Sequence, residues 1–315
     1  MIEITTPSRI HITLIDLNGA LGRIDGSVGI TLDFPVIKIQ AKKSNKLAVQ
    51  GNSGFSERTK KVLEAITIAY HTGGIEVDII EGYPDHVGLG SGTQASLAAG
   101  MALSKLYDLD LNPVDIARLT KRGGTSGIGI TAYDHGGFII DGGHKGKCEF
   151  KPSSASREYF PPPVLIRHDF PDWDIIIAIP DLKGASNERE VNIFKERCPI
   201  PLQEVQELSH IILIEMLPAV VEQDIESFGA SINKIQDIGF KRREVQLQPF
   251  CKQLMEFMKK SGAYGSGMSS FGPTVYAITD DKSLKNAVQT YLNETTSGKA
   301  YCVKARNCGA YLKEF

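Results

Sequence analysis

Val87-Gly-Leu-Gly-Ser-Gly-Thr-Gln-Ala-Ser-Leu-Ala-Ala-Gly-Met-Ala-Leu103 is the stretch on which the fold turns. Ala95, Ala98, Ala99, Ala102, Leu103 and Leu106 recur at helical spacing, so they form one apolar helix face. An alternating run, Ile75–Glu81, precedes the glycines and reads as a strand. A glycine cluster opening a helix presents unpaired N–H groups and the positive end of the helix dipole, which together attract anions. Gly88, Gly90, Ser91, Gly92 and Thr93 are therefore candidate phosphate-binding residues. The same residues also suit a tight strand-to-helix turn with Ser91 as the N-cap. GxxxxGK[ST] is absent and the third glycine of GxGxxG is missing, which excludes a Walker A loop and a good Rossmann fingerprint.

Working outward, Ile10, Ile12 and Leu14 alternate with Arg9, His11 and Thr13, so a strand places the latter three on one face. A Gly-rich connection, Asn18–Gly29, leads to a second β-like run over Ile30–Ala41. Helices are predicted at about Glu57–His71 and Pro113–Lys121, and strands at about Gly137–Asp141 and Asp174–Ile179. Pro152–Pro163 reads as an exposed loop. From Asn187 the pattern is mainly helical, through Leu202–Met216, Asp224–Gln236 and Gln246–Lys260. Gly265–Gly272 reads as a loop, followed by a strand Thr274–Thr279, a helix near Lys282–Leu292 and a strand Tyr301–Arg306. Two α+β halves are the simplest organisation.

Thirty-five Lys and Arg against 37 Asp and Glu give a net charge of −2, which argues against nucleic acid or an anionic membrane as the main partner. The five cysteines, Cys148, Cys198, Cys251, Cys302 and Cys308, include no CxxC, as in a reduced chain. No leader pattern begins the chain and no run reaches the ~18 apolar residues of a membrane span, so a cytoplasmic protein is expected.

Thr6-Pro-Ser-Arg-Ile-His-Ile-Thr-Leu14, the Val87–Leu103 stretch and Gly262-Ala-Tyr-Gly-Ser-Gly-Met-Ser-Ser-Phe-Gly-Pro-Thr-Val-Tyr-Ala-Ile-Thr279 resemble, in order and spacing, the three motifs of the GHMP kinase superfamily. The resemblance implies an α+β fold with a ribosomal protein S5 domain 2-like N-terminal domain, here 1–165, and a ferredoxin-like C-terminal domain, 166–315. In the superfamily's kinases motif 2 wraps the ATP phosphates, motif 3 buttresses it, and an Asp in an SGxD-like segment acts on the substrate hydroxyl. That segment here is Thr125-Ser-Gly-Ile-Gly129, so the Asp position is Gly129. Glycine can neither take a proton nor pair with a cation, which weakens a kinase reading.

Arg9-Ile-His11, the extension Leu14–Gly29 and the Gly88-Leu-Gly-Ser-Gly-Thr-Gln94 form of motif 2 resemble the β-ribofuranosylaminobenzene 5′-phosphate synthases of the same superfamily. That resemblance implies phosphoribosyl pyrophosphate and 4-aminobenzoate as substrates, carbon dioxide and pyrophosphate as products, a role in methanopterin synthesis, Mg²⁺ as cofactor and a homodimer. Arg9, His11 and Asp16 become candidate catalytic residues, Arg9 for a phosphate or carboxylate and His11 for phosphate or the leaving group. Asp16 and Asp25 are candidates for Mg²⁺ or for facing developing positive charge, with surface turns as the commoner explanation. Thr125 and Ser126 are candidate phosphate donors, as are Gly265 and Gly267 of motif 3. Arg122-Gly-Gly-Thr-Ser126 lacks the acidic pair that precedes the phosphoribosyl-binding loop of ordinary phosphoribosyltransferases. The competing readings are an ATP-dependent small-molecule kinase using Asp134 as its base, and a ligand-sensing scaffold.

Overall fold

The computed structural model describes residues 1–315 except 52–53, 148, 154, 157–158, 183 and 185–186. Cys148 and part of the expected loop at 152–163 thus lie outside the described residues. The first half contains β1 (Ile2–Asp16), β2 (Arg23–Ser44), β3 (Ala48–Gln50), α1 (Ser56–Tyr70), β4 (Gly74–Glu81), α2 (Ser91–Leu106), α3 (Pro113–Leu119), α4 (Ile128–Asp134), β5 (Phe138–Asp141), β6 (His144–Lys145) and β7 (Val164–His168). The second contains β8 (Asp174–Pro180), α5 (Asn187–Arg197), α6 (Leu202–Ile211), a π-helical turn Ile212–Met216, α7 (Leu217–Glu222), α8 (Ile225–Gln236), α9 (Gly239–Gln246) and α10 (Pro249–Lys260). It closes with β9 (Gly265–Met268), β10 (Val275–Thr279), α11 (Leu284–Thr295), β11 (Gly298–Val303) and β12 (Tyr311–Glu314).

Local chemistry accounts for several of these boundaries. Asn112 and Asp115 form a reciprocal capping box around Pro113 at the start of α3. The Asp224 carboxylate accepts from Ser227 N–H at 3.0 Å to start α8. Besides β1, the long β2 pairs with β6 at Arg23–Ile24, with β5 at Ser27–Ile30 and with β4 at Lys38–Ser44. β1 runs antiparallel to β2 along nearly its whole length, with irregularities between Thr6 and Ser8 and between His11 and Thr13.

The second sheet is antiparallel throughout in the order β11-β8-β10-β9. Numbered along the chain these strands run 4-1-3-2, the ferredoxin-like arrangement. The halves are not cleanly successive. β7 pairs with β5, so the division expected at 165/166 falls inside a strand of the first sheet, and β12 returns from the C-terminus to pair with β1. Among the described residues no helix is long and apolar enough to cross a membrane.

Two expectations change. Gly265–Gly272 is not wholly a loop, because Gly265–Met268 forms β9, fully buried beside β10. Glycine fits this strand because α8 lies against it: a Cβ on Gly265 would stand 2.3 Å from the Gly229 carbonyl oxygen, and one on Gly267 2.6 Å from the Tyr276 hydroxyl. A second glycine cluster, Gly123–Gly129, also runs directly into a short helix, α4. We expect Gly265→Ala to force α8 off β9 and cost about 2 kcal/mol in urea unfolding, whereas unchanged stability would contradict that packing.

Candidate active site

β1 is open along one edge at Arg9–His11, and both glycine loops dock there. Arg9 N–H donates to Leu89 O at 3.2 Å, and Ser270 N–H donates to His11 O at 2.9 Å. His11 N–H donates to the Ser269 hydroxyl at 3.0 Å, which in turn donates to Gly88 O at 2.7 Å. Thr274 N–H also donates to Val87 O at 3.2 Å. Motif 3 therefore ties motif 2 to motif 1 through otherwise unpaired backbone groups.

These segments border a cleft of about 780 Å³, a size suited to a small ligand. Arg9, His11, Gly88, Gly90, Ser91, Gly92, Thr93, Thr125 and Ser126 all line it. Asp16, Gly265 and Gly267 do not. Asp16 accepts from the N–H groups of Asn18 and Gly19, as a turn carboxylate does, and the two glycines serve sheet packing.

The motif 2 loop is shaped by close approaches. Gly90 has φ +83° and is the N-cap of α2, with no side-chain cap. Ser91 is not the cap; its hydroxyl donates to Asp85 at 2.6 Å. Thr93 N–H donates to Gly90 O at 3.1 Å, so the N–H groups of Ser91 and Gly92 are the ones left for an anion. Arg58 lies 3.2 Å from Asp85 and crosses so close to the loop that a Cβ on Gly92 would stand 2.0 Å from its Nη1. Burial raises the Asp85 carboxyl, but Ser91, Arg58 and His86 outweigh it and hold it below the usual aspartate value.

Arg9 donates to Gly88 O. Burial pulls its guanidinium down to about 10, opposed by Tyr83, so it stays cationic at neutral pH. His11 is buried; burial, then Arg9 and Lys241, hold its imidazole well below the usual value, so it works as a neutral ring. Its Nδ1 has no partner among the described residues. Lys241, wholly buried, pairs with Glu244 and donates to Met268 O at 3.2 Å and Ser270 O at 3.1 Å, bracing the motif 3 loop.

The second glycine cluster contributes shape more than free donors. The Thr125 hydroxyl donates to Lys151 O at 2.7 Å, and Ser126 Oγ lies 2.7 Å from Ser27 Oγ, which is bonded to buried Asp141. Burial raises Asp141 to about 6, while Ser27 and the N–H groups of Gly127 and Gly143 oppose it. Asp25 is buried against Lys147 at 2.9 Å and His144 at 2.6 Å, and Lys147 also holds Gly124 O. Its carboxylate thus fastens the cluster and does not line the cleft.

Gly129 does line the cleft. A Cβ there would meet Thr93 Cγ2 at 3.2 Å, and its carbonyl accepts from Gln94 Nε2 at 2.6 Å. Asp134 is exposed at the end of α4 beside His135 and is not part of the wall. Arg58, Lys61, Lys121, Glu190, Glu244, Phe194 and Phe271 line the cleft without having been singled out in the sequence. Among the described residues no group of three or more His, Cys, Asp or Glu could hold a metal ion; Asp85 and Ser91 supply a pair of oxygen donors beside the phosphate loop.

The GHMP kinases N terminal domain family matches residues 57–137, and the GHMP kinases C terminal family matches 216–297. The mevalonate kinase of L. major superposes with a TM-score of 0.69 at 13% identity, over 98% of this chain and 96% of that one. A homoserine kinase from Listeria monocytogenes does so with 0.68 at 18%, over 100% of both, and these likenesses show the fold. In sequence, the beta-ribofuranosylphenol 5'-phosphate synthase of Archaeoglobus fulgidus is 47% identical over 99% of this chain and 100% of its own length. The protein of that name from Methanocaldococcus jannaschii is 43% identical over 97% and 98%. With its GHMP fold and this full-length identity, the chain belongs to the beta-ribofuranosylphenol 5'-phosphate synthase family.

Proposed function

We propose that the chain joins the ribose 5-phosphate unit of phosphoribosyl pyrophosphate through carbon to a benzoate carrying an electron-donating para group, releasing carbon dioxide and pyrophosphate in a step toward methanopterin. The observation that carries this reading is the cleft itself: an anion-binding loop, a fixed Arg9, and Gly129 where a superfamily kinase has its carboxylate. Displacement at the anomeric carbon needs stabilisation of the departing pyrophosphate while positive charge grows on the ribose ring. It does not need a base acting on a hydroxyl nucleophile of the kind phosphotransfer uses.

The α2 N–H groups and Arg9 hold the pyrophosphate oxygens, and the neutral His11 ring offers a hydrogen bond. The ring carbon bearing the carboxylate bonds to the anomeric carbon as the carbon–oxygen bond to pyrophosphate breaks. Loss of carbon dioxide then returns the electron pair to the ring and restores aromaticity. Asp85 and Ser91, whose hard oxygens lie side by side next to the loop, would hold Mg²⁺. When bound, it neutralises leaving-group charge.

The relatives are named for a ribofuranosylphenol product, which favours 4-hydroxybenzoate as acceptor, with 4-aminobenzoate as the alternative that the sequence motifs imply. A kinase reading has no cleft carboxylate at Gly129, and Asp134 stands outside the wall.

Purified protein with Mg²⁺, phosphoribosyl pyrophosphate and either acceptor should release carbon dioxide and pyrophosphate in equal amounts; release of neither would refute the assignment. Arg9→Gln should lower kcat/KM for that release by about 10²–10³ while leaving the melting temperature nearly unchanged, because Gly88 O keeps its Ser269 donor. Equal activity would remove Arg9 from the pyrophosphate site. Gly129→Asp should weaken donor binding at least about tenfold, measured as KM for phosphoribosyl pyrophosphate, because it adds an anion beside Thr93.

A further inference from the structure

Glu190 has no role in the chemistry described so far, yet it lines the cleft. It lies on α5 one helical turn before Phe194, so the two share a helix face. Phe194, Phe271 and Leu14 pack into one apolar cluster that borders the same cleft, with the two phenylalanine ring centroids 6.3 Å apart. Apolar and aromatic side chains of this kind are suited to an aromatic ring, and the phosphate loop is suited to the pyrophosphate.

The Glu190 side chain has no hydrogen bond or ion pair among the described residues. Its neighbour Glu244 already has a cation, Lys241, whereas Glu190 feels Glu244 as a like charge. A half-buried carboxylate left without a donor, beside an apolar wall for a ring, is complementary to a ligand hydroxyl.

Resting on the reaction proposed above, we infer that Glu190 is the catalytic base for the acceptor, taking the proton of the para hydroxyl as the ring attacks the ribose. The phenol oxygen–hydrogen bond breaks, the proton passes to a Glu190 oxygen, and the freed electron pair pushes through the ring to the carbon bearing the carboxylate. That carbon bonds to the anomeric carbon as pyrophosphate leaves. Carbon dioxide departs without its bonding pair, which passes back through the ring to give a phenolate, and Glu190 returns the proton. No oxidant, reductant or further reactant is needed.

Burial, reinforced by Glu244, raises the Glu190 carboxyl to about 7. Activity with 4-hydroxybenzoate should therefore rise with pH through that region as Glu190 ionises. The charge that acts on it is Glu244 of α9, itself paired with Lys241, and the same cleft is lined by Arg9 and His11 of β1, Glu57, Arg58 and Lys61 of α1, Asp85 and His86 before α2, and Lys121 and Arg122 after α3. The sign for stability is opposite. The folded state binds the Glu190 proton more tightly than the unfolded chain does, so stability falls as pH rises from about 4.5 to about 7. Glu190→Gln removes that ionisation and should fold at least as well as the wild type at pH 8.

The experiment compares E190Q with the wild type on three acceptors: 4-hydroxybenzoate, 4-aminobenzoate, and 3,5-difluoro-4-hydroxybenzoate, whose phenol is already ionised at pH 8. With 4-hydroxybenzoate E190Q should lose about 100-fold or more in kcat and lose the rise in rate near pH 7, while KM for phosphoribosyl pyrophosphate stays unchanged. The loss should shrink to about tenfold or less with 4-aminobenzoate, which keeps its protons, and should nearly vanish with the difluoro acceptor. Equal losses on all three acceptors, or wild-type activity throughout, would overturn this role for Glu190. Wild-type protein inactive with every acceptor would instead overturn the reaction, and the role with it.

Discussion

The Ser269 hydroxyl, accepting from His11 N–H and donating to Gly88 O, is the contact on which the cleft depends. It satisfies a backbone donor on the open edge of β1, where an unpaired buried N–H would be costly. It also fixes the carbonyl of the first glycine in the phosphate loop. Ser269 comes from the second half of the chain while His11 and Gly88 come from the first, so the loop has its shape only when both sheets are assembled. β12 returning to β1 adds a second tie across the same seam.

On the reaction proposed above, that geometry is what a chain of near-zero net charge needs to hold a highly charged small molecule. Arg9 and Arg58 are each held to the loop, one by Gly88 O and the other by Asp85 across Gly92. Arg58 occupies the space that a side chain at residue 92 would need. Glycine at 92 with a guanidinium packed against it leaves no room there for a serine hydroxyl. Gly90 plays the corresponding part for Arg9, since a Cβ there would lie 3.2 Å from its side chain. The glycines of motif 2 therefore admit two cationic side chains against the loop.

Much of this was legible in the sequence because local patterns carry it. The alternation gave β1 and the common face of Arg9 and His11, and the alanine stripe gave α2, but the irregularity between His11 and Thr13 brings Leu14 and not Thr13 to the cleft. Alternation alone could not show that both faces of β1 are covered. Helices α2, α4, α6 and α9 all contact it, so Thr13 is fully buried and His11 is 7% exposed. Gly265 and Gly267 resembled phosphate-binding glycines because close approach to a helix and close approach to an anion select the same residue type. Arg58 and Glu190 were invisible for another reason: each is one charge among several on an exposed-looking helix, distinguished only by Asp85 and Gly92 or by Glu244 brought near in three dimensions.

In the proposed reaction this cleft breaks the anomeric bond of a pyrophosphate donor and moves no phosphoryl group. A phosphorus NMR time course on one mixture of protein, Mg²⁺, phosphoribosyl pyrophosphate, ATP and 4-hydroxybenzoate tests it most directly. Pyrophosphate should appear as phosphoribosyl pyrophosphate disappears, with the ATP resonances unchanged. Formation of ADP and a new phosphate ester, with phosphoribosyl pyrophosphate intact, would contradict it.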